Sequence, residues 1–540
     1  MKKTFKALCA GAILGVASML PAQAANFTLV NLDPPGVGFN DPAPATPVGG
    51  NAGTTVGQQR IIAYSRALQL WGSVLKSDVQ IIVLGSFSPL TCTATGGTLA
   101  QAGAYNGELN FPGAAVANTI YPEALANSLA GFDLYTGDPA SPDGAFIDGA
   151  DIIAFFNGNI GTPGCIEGST WYYGLDSNAP AAKTDFLNVF MHELSHGLGF
   201  ANWVNEQTGA RAGGLNDIYM TFQKDIATGK LWSQMTAAEI RAAAIRDGQE
   251  VWVGPNVTAR APGILDRVKL LTITAPAAVA GQYDFLGGAS FGSVPTSAAF
   301  TGDVVAGVPV DGCAPLSNAV AGKVAIVRRG TCGFAVKALN AQLAGAKAVI
   351  IANNVAGTGP VGMGGTDPNV TIPAISVGTN DGNNLIAAGT SASAGFQPHP
   401  TRIAGLASDG HLRLYAPTVV ALGSTASHWD VVAEPSLLME PFNTPLLEAS
   451  HNVDLTLALF EDIGWKTEIS LAGCGAGSGS RGASLTGEIY AAPIFVCSDT
   501  AATKGDFQSC TVQHLSSLRN AGLISGATKG TLGVCAANGK

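Results

Sequence analysis

The chain has 540 residues, 12% of them charged, with 69 glycines, seven histidines, nine cysteines and a formal net charge of −10. That length exceeds one hydrophobic core, so about two to four domains are expected. An acidic, charge-poor surface argues against nucleic acid and anionic lipid as partners.

The N-terminus reads MKKTFKALCAGAILGVASMLPAQAANF. Lys2, Lys3 and Lys6 precede an apolar run to Leu20, and Ala22-Gln23-Ala24 fits the small-residue cleavage rule. Residues 1–24 are therefore expected to be a secretory signal peptide, and the mature protein to be soluble and secreted, extracellular or periplasmic. The run is short for a membrane span, which needs about 20 apolar residues, and no later segment is long and apolar enough. Cys9 falls inside the signal. The other eight cysteines are an even number, which in an exported protein predicts disulfides rather than thiol chemistry.

Residues 25–55 are rich in Pro, Gly and Asn and read as an extended or looped lead-in. From Gly57 onward Ile61, Ile62, Leu68, Trp71 and Leu75 fall at helical spacing, and Asp78–Leu84 follows as a strand, which suggests an α/β layer. Cys92 and Cys165 lie in this half and are candidates to pair. Gly149–Gly158 reads as a second strand. Thr184 is expected to cap the next helix, with Asp185 in its first turn, where the helix dipole favours an acid.

That helix carries NVFMHELSHGLGF, Asn188–Phe200. Each helical residue turns about 100°, so Leu187, Phe190, Met191, Leu194 and Leu198 share one side. His192 and His196 share the opposite side, where i, i+4 spacing brings two ring nitrogens within reach of one metal ion. Glu193 lies beside that face, placed to deprotonate a metal-bound water. This is the HExxH arrangement of zinc hydrolases. A bland alternative is a helix with two surface histidines. Gly197 and Gly199 end the helix with a sharp turn.

Met235–Asp247 predicts a surface helix. After residue 265 the texture changes to short β-rich runs between Gly and Pro. Lys323–Arg328, Ala348–Ala352 and Thr371–Val377 read as strands, with Phe334–Gly345 as a helix. The segment from Gly312, GCAPLSNAVAGKVAIVRRGTCGFAVKALNAQLAGAKAVIIANN, resembles the protease-associated (PA) domain. The matching residues are Cys313, Gly322, Lys323, Arg329, Gly330, Cys332, Phe334, Lys337, Gly345 and Ala346. The resemblance implies an α/β insertion over residues 268–400, a Cys313–Cys332 disulfide, and a role in docking substrate or acting as a lid. Arg328, Arg329 and Lys337 are read as solvated charges rather than an anion site.

Metzincin zinc peptidases carry HExxHxxGxxH. Gly199 fits that pattern, but Asn202 stands at the third-ligand position, and a neutral amide is a poor zinc ligand. The third ligand must come from further along. His428 sits in GSTASHWDVVAEPSLLMEPF, followed by Met439 in Leu437-Leu438-Met439-Glu440-Pro441. Here the chain resembles the leishmanolysin-like metzincins, which have HExxHxxGF, a long insertion, a His-Trp pair and a Met-containing turn. The resemblance implies His192, His196 and His428 as zinc ligands, Glu193 as general base and Met439 on the turn beneath. Trp429, Phe200 and Pro441 also match. It further implies that Ala150–Phe156 borders the substrate cleft and that Ala458–Trp465 is the closing helix. His451 and Asp430 remain alternative third ligands; the other remaining histidines are His399, His411 and His514. Helix or strand is expected at Leu412–Tyr415 and Val453–Ile463.

Beyond a Gly/Ser-rich link after Gly473, the tail holds Cys474, Cys497, Cys510 and Cys535, whose three possible pairings the sequence does not distinguish. His514 is read as exposed. The expected fold class is α+β: a metzincin-like zinc peptidase domain (25–267 and 401–468) split by the PA domain, plus a small disulfide-rich C-terminal segment (469–540). The expected function is a secreted, Zn2+-dependent endopeptidase that hydrolyses protein or peptide substrates with a Glu-activated, zinc-bound water. The alternatives are a zinc aminopeptidase and a non-catalytic secreted binding protein on a peptidase scaffold.

Overall fold

The computed structural model describes all residues except 1–24, 136–148, 181–182, 288, 366, 443–452, 468–469, 472–473, 476–493, 495–496, 498–500, 521, 523 and 539–540. The expected signal segment, Cys9, His451 and most of the Gly/Ser-rich link lie outside the described residues. Among the described residues, no helix is long and apolar enough to cross a membrane. The chain forms two compact units: one runs to Leu265 and resumes at Gly405, and the other is Asp266–Ala404.

The first unit is built on a sheet of β1 (Phe27–Asn31), β2 (Ile81–Ser88), β3 (Ala100–Ala104) and β4 (Ala150–Asn157), in the order β1-β2-β4-β3. β1 and β2 are parallel, as are β2 and β4, whereas β3 runs antiparallel to β4 with Ala102 opposite Ala154. The lead-in, expected to be extended or looped, begins with the strand β1. The Pro and Gly that suggested a loop begin only at Asp33-Pro34, and FTLVN before them lies alongside β2. The strand expected from Asp78 starts three residues later, at Ile81.

Three helices flank this sheet: α1 (Val56–Val74), α2 (Glu123–Ala130) and α3 (Phe186–Leu198). Thr55 caps α1 by accepting from Gln58 N. α1 buries Ala63, Tyr64, Ala67, Leu68 and Trp71. Tyr64 stacks on Phe190 of α3 at 3.9 Å, and the Trp71 indole N–H donates to Met191 O. Phe39, Phe87, Phe156 and Phe186 complete an aromatic core between sheet and helices. The expected helix at Met235–Asp247 is shorter, Ala237–Ala243, because Thr236 and Glu239 form a capping box that starts it later.

In the second unit, strands at 301–306, 324–328, 348–352 and 374–377 run parallel at the centre of an eight-stranded sheet, and 390–403 and 267–275 extend it antiparallel. Helices Phe334–Leu343 and Thr379–Ala388 cover opposite faces, each over its own apolar cluster. Cys313 and Cys332 are disulfide-bonded. Lys337 is not a solvated charge as expected. It is fully buried, and its ammonium donates to Asp311 O at 2.5 Å and Gly330 O at 2.6 Å. Those carbonyls take the place of water around the charge.

The tail is more helical than its cysteine content suggested. Helices Lys504–Asn520 and Gly526–Asn538 pair, and a Cys497–Cys510 disulfide ties the first to the preceding segment. Cys535 is also disulfide-bonded. His514 is partly buried rather than exposed.

Candidate metal centre

α3 positions the first two histidines. Asp185, not Thr184, is its cap: the Asp185 carboxylate, at the end of the short strand Lys183–Asp185, accepts from Asn188 N. Asp is preferred over Thr at a helix N-cap. Leu187, Phe190, Met191, Leu194 and Leu198 are all fully buried, which fixes the helix's rotation and turns His192 and His196 to the other side. Gly197 lets α3 close on β4, since a Cβ there would lie 2.4 Å from Ile152 Cγ2. Gly199 ends the helix with φ 120°.

His428 arrives on a loop from the far side of the insertion. Its Nε2 lies 3.0 Å from His192 Nε2, and His196 Nε2 lies 3.2 Å from the same atom. The other ring nitrogens are committed. His192 Nδ1 donates to Leu438 O (2.7 Å), His196 Nδ1 to Phe200 O (2.8 Å) and His428 Nδ1 to Ser424 O (2.8 Å). A carbonyl can only accept, so each Nδ1 carries the proton and each neutral Nε2 presents a lone pair. Burial first, then the charge of His196, pushes His192 down to about 3. Burial likewise pushes His196 down to about 4 and holds His428 well below the ordinary histidine range. All three rings are therefore neutral near pH 7.

Three converging lone pairs repel one another unless a cation lies between them. A tetrahedral zinc site with Zn–N near 2.0–2.1 Å needs nitrogens about 3.3 Å apart. The donor type and spacing fit that ion. Among the described residues, these three form the grouping of His, Cys, Asp and Glu close enough to share one ion. Asp430, the alternative ligand, instead pairs with Arg413 at 2.5 Å. His451 lies outside the described residues.

The turn Leu437–Glu440 supports His192. Leu438 O receives the His192 proton, and Leu438 N donates to the Asp454 carboxylate. Met439 is fully buried on this turn, and its carbonyl accepts from Trp429 N. Trp429 packs edge-on to Phe200 at 4.9 Å. The helix expected at Ala458–Trp465 runs Thr456–Ile463, and the Trp465 indole after it donates to Leu198 O.

A cleft of 850 Å³ is lined by the three histidines together with Gly97–Ala102, Leu422–Ser424 and Glu440–Phe442. The strand on its border is β3, correcting the assignment to Ala150–Phe156. β4 lies inside the sheet, and β3 is the edge. Glu193 opens on the cleft and is 7% exposed. Burial raises its carboxyl to about 8, against a hydrogen bond from the Ala102 backbone that lowers it.

Sequence reasoning missed the backbone carbonyls of Phe200, Ser424 and Leu438, the Asp454 carboxylate and the whole of β3. A carbonyl is present at every residue and leaves no signal in the letters. An acid in LEASHNVDL could have been suspected as a support for the Met439 turn.

Comparison with known proteins gives partial matches. The chain is 42% identical over 79 residues to signal peptide peptidase-like 4 of Oryza sativa subsp. japonica, covering 14% of each protein. It is 54% identical over 46 residues to signal peptide peptidase-like 2 of Arabidopsis thaliana, covering 8% of each. Among solved structures, a zinc aminopeptidase from Bacillus subtilis shares 22% identity over 27% of this chain and 37% of its own, with a TM-score of 0.19. An aminopeptidase from Aneurinibacillus sp. strain AM-1 shares 24% over 26% of this chain and 38% of its own, with a TM-score of 0.16. The chain thus spans a small part of each relative, and likeness at that level does not bear on the first unit. Residues 300–385 match the PA domain family, and this part of the chain is a PA domain.

Proposed function

We propose that the protein is an exported zinc endopeptidase of the metzincin type, with a PA domain inserted in its catalytic unit. The observation that carries this reading is three neutral imidazole Nε2 atoms converging beside a buried glutamate, in an open cleft bordered by a sheet edge. The three described disulfides support an oxidising compartment.

Bound zinc would supply a Lewis acid that polarises a scissile carbonyl and acidifies water. His192, His196 and His428 would hold it, with their tautomers set by three carbonyls. Glu193 takes a proton from the attacking water and returns it to the leaving amine. Leu99 O and Tyr105 N of the β3 region bond to β4, so by antiparallel alternation Ala100 and Ala102 turn their backbone groups to the open edge. Ala102 N holds Glu193 there. A substrate segment added as a strand along this edge would lie next to the general base.

The test is an internally quenched peptide blocked at both ends. Zinc-loaded protein is expected to cleave it, a chelator to stop cleavage, and added zinc to restore it. Cleavage of substrates with a free N-terminus alone would assign an aminopeptidase instead.

A further inference from the structure

Asn202 occupies the position where the metzincin pattern carries a histidine, and it is not part of the metal grouping. Its contacts show a different use. The Asn202 backbone N–H and its side-chain Nδ2 both donate to Ser427 Oγ, each at 3.2 Å. Its Oδ1 accepts from Val204 N at 3.1 Å. A backbone N–H can only donate, so the amide's orientation is settled and Nδ2 faces Ser427. Ser427 is 8% exposed and immediately precedes His428. Asn202 in turn lies two residues past Phe200, whose carbonyl holds His196.

The pair therefore bridges two short segments that carry metal-facing histidines, although His196 and His428 are 428 − 196 = 232 positions apart. Ala426, just before Ser427, sits at φ 61°, a backbone state that alanine rarely adopts. Its carbonyl is held by Gln223 Nε2 at 2.8 Å. The His428 loop is thus pinned from one side by Gln223 and from the other by Asn202.

We propose that Asn202, with Ser427, is a positioning pair that sets the placement of His428 against His196 and thereby the zinc affinity of the site. The amide thus locks the remote histidine in place instead of coordinating the ion itself. This inference rests on the zinc reading above, but its readout is metal binding rather than peptide hydrolysis.

The experiment is a zinc competition titration of the full-length protein against a chromophoric chelator. It compares Asn202→Ala, Ser427→Ala, the double variant, and Ser427→Thr, which retains a hydroxyl acceptor. Loss of a residue that orients a ligand costs about 10–100-fold in metal affinity. Each alanine variant is expected to fall in that range and the double variant to lose no more than the worse single one. Ser427→Thr is expected to stay within about threefold of the parent. Cobalt(II) bound to the alanine variants should show weakened visible d–d bands, reporting a distorted tetrahedral set. Affinities and cobalt spectra of both alanine variants equal to the parent's would overturn the positioning role and leave the zinc site standing. A parent protein that takes up no zinc would overturn the zinc reading and this inference together.

Discussion

Glu193 is separated from its neighbouring histidine by one peptide bond, yet its environment gives it a different task. The imidazoles are neutral with lone pairs directed inward, and the carboxyl is raised to about 8 by burial. Glu193→Gln preserves the shape but offers no basic oxygen. It is expected to bind zinc within about threefold of the parent and to lose about 10²–10⁴ in kcat, checked by metal analysis alongside turnover. A second carboxyl gives a stability prediction. Glu250 is fully buried, and burial, followed by the charge of Asp225, raises it from 4.5 to about 8. The folded state then holds a proton that the unfolded chain releases above pH 4.5, so stability is present below that pH and lost as pH rises toward 8. Thermal melts of metal-free protein should show Tm falling from pH 5 to 8, and Glu250→Gln should flatten the slope. At this scale the letters revealed what side-chain identity and helical spacing carry, the pairing of His192 and His196 on one face. They did not reveal the Leu438, Phe200 and Ser424 carbonyls, because backbone groups are common to every residue. Asn202 was visible as a departure from a pattern, but its bonds to Ser427 depend on a fold that joins distant segments.

The elements beside the cleft were read unevenly, for physical reasons. α3 was legible because five apolar residues on one side and two histidines on the other leave little choice of period. β3, AQAGA, has no β-branched or aromatic residue, and its alternating apolar positions are only alanines, so little local marks it as a strand. It forms because β4 beside it offers a ladder of backbone partners, and its value to the cleft also lies in its backbone. A short hairpin at Cys92–Thr93 and Gly96–Gly97 leads into it, and the Cys92–Cys165 disulfide ties that hairpin to the loop after β4. The bridge closes a separation of 73 residues. Replacing both cysteines by serine is expected to lower unfolding free energy by about 2–4 kcal/mol. Because the hairpin sets the start of β3, the same variant should raise KM for an extended peptide more than it lowers kcat. Denaturant melts and steady-state kinetics check the two parts separately. A change in kcat alone would mean that the hairpin does not help place the substrate.

On the scale of the whole molecule, the site's residues come from both sides of an insertion, yet none comes from the insertion itself. His192, His196, His428, Glu193, Asn202, Ser427, Leu438 and Asp454 all belong to the unit that stops at Leu265 and resumes at Gly405. The inserted unit closes on its own ends, with Ala404 N donating to Asp266 O at 2.9 Å. Its two apolar clusters draw on residues between Leu271 and Leu385. The sequence changes texture after residue 265 because a parallel sheet covered on both faces needs short continuous apolar runs such as AVIIA, with Gly and Pro at the turns. A domain whose ends meet is removable with little strain on its host. Replacing 266–404 by a short Gly/Ser linker is therefore expected to leave a folded first unit with zinc affinity within about threefold of the full chain, since every ligand and every carbonyl that orients one is retained. Hydrolysis of a short blocked peptide should survive the excision, while the relative rates on folded protein substrates change if the PA domain selects what reaches the cleft. Zinc titration and parallel assays on peptide and protein substrates separate these outcomes. A spliced chain that folds but fails to bind zinc would show that the insertion holds the two halves of the site in register, and the account of the centre as complete within one unit would fall.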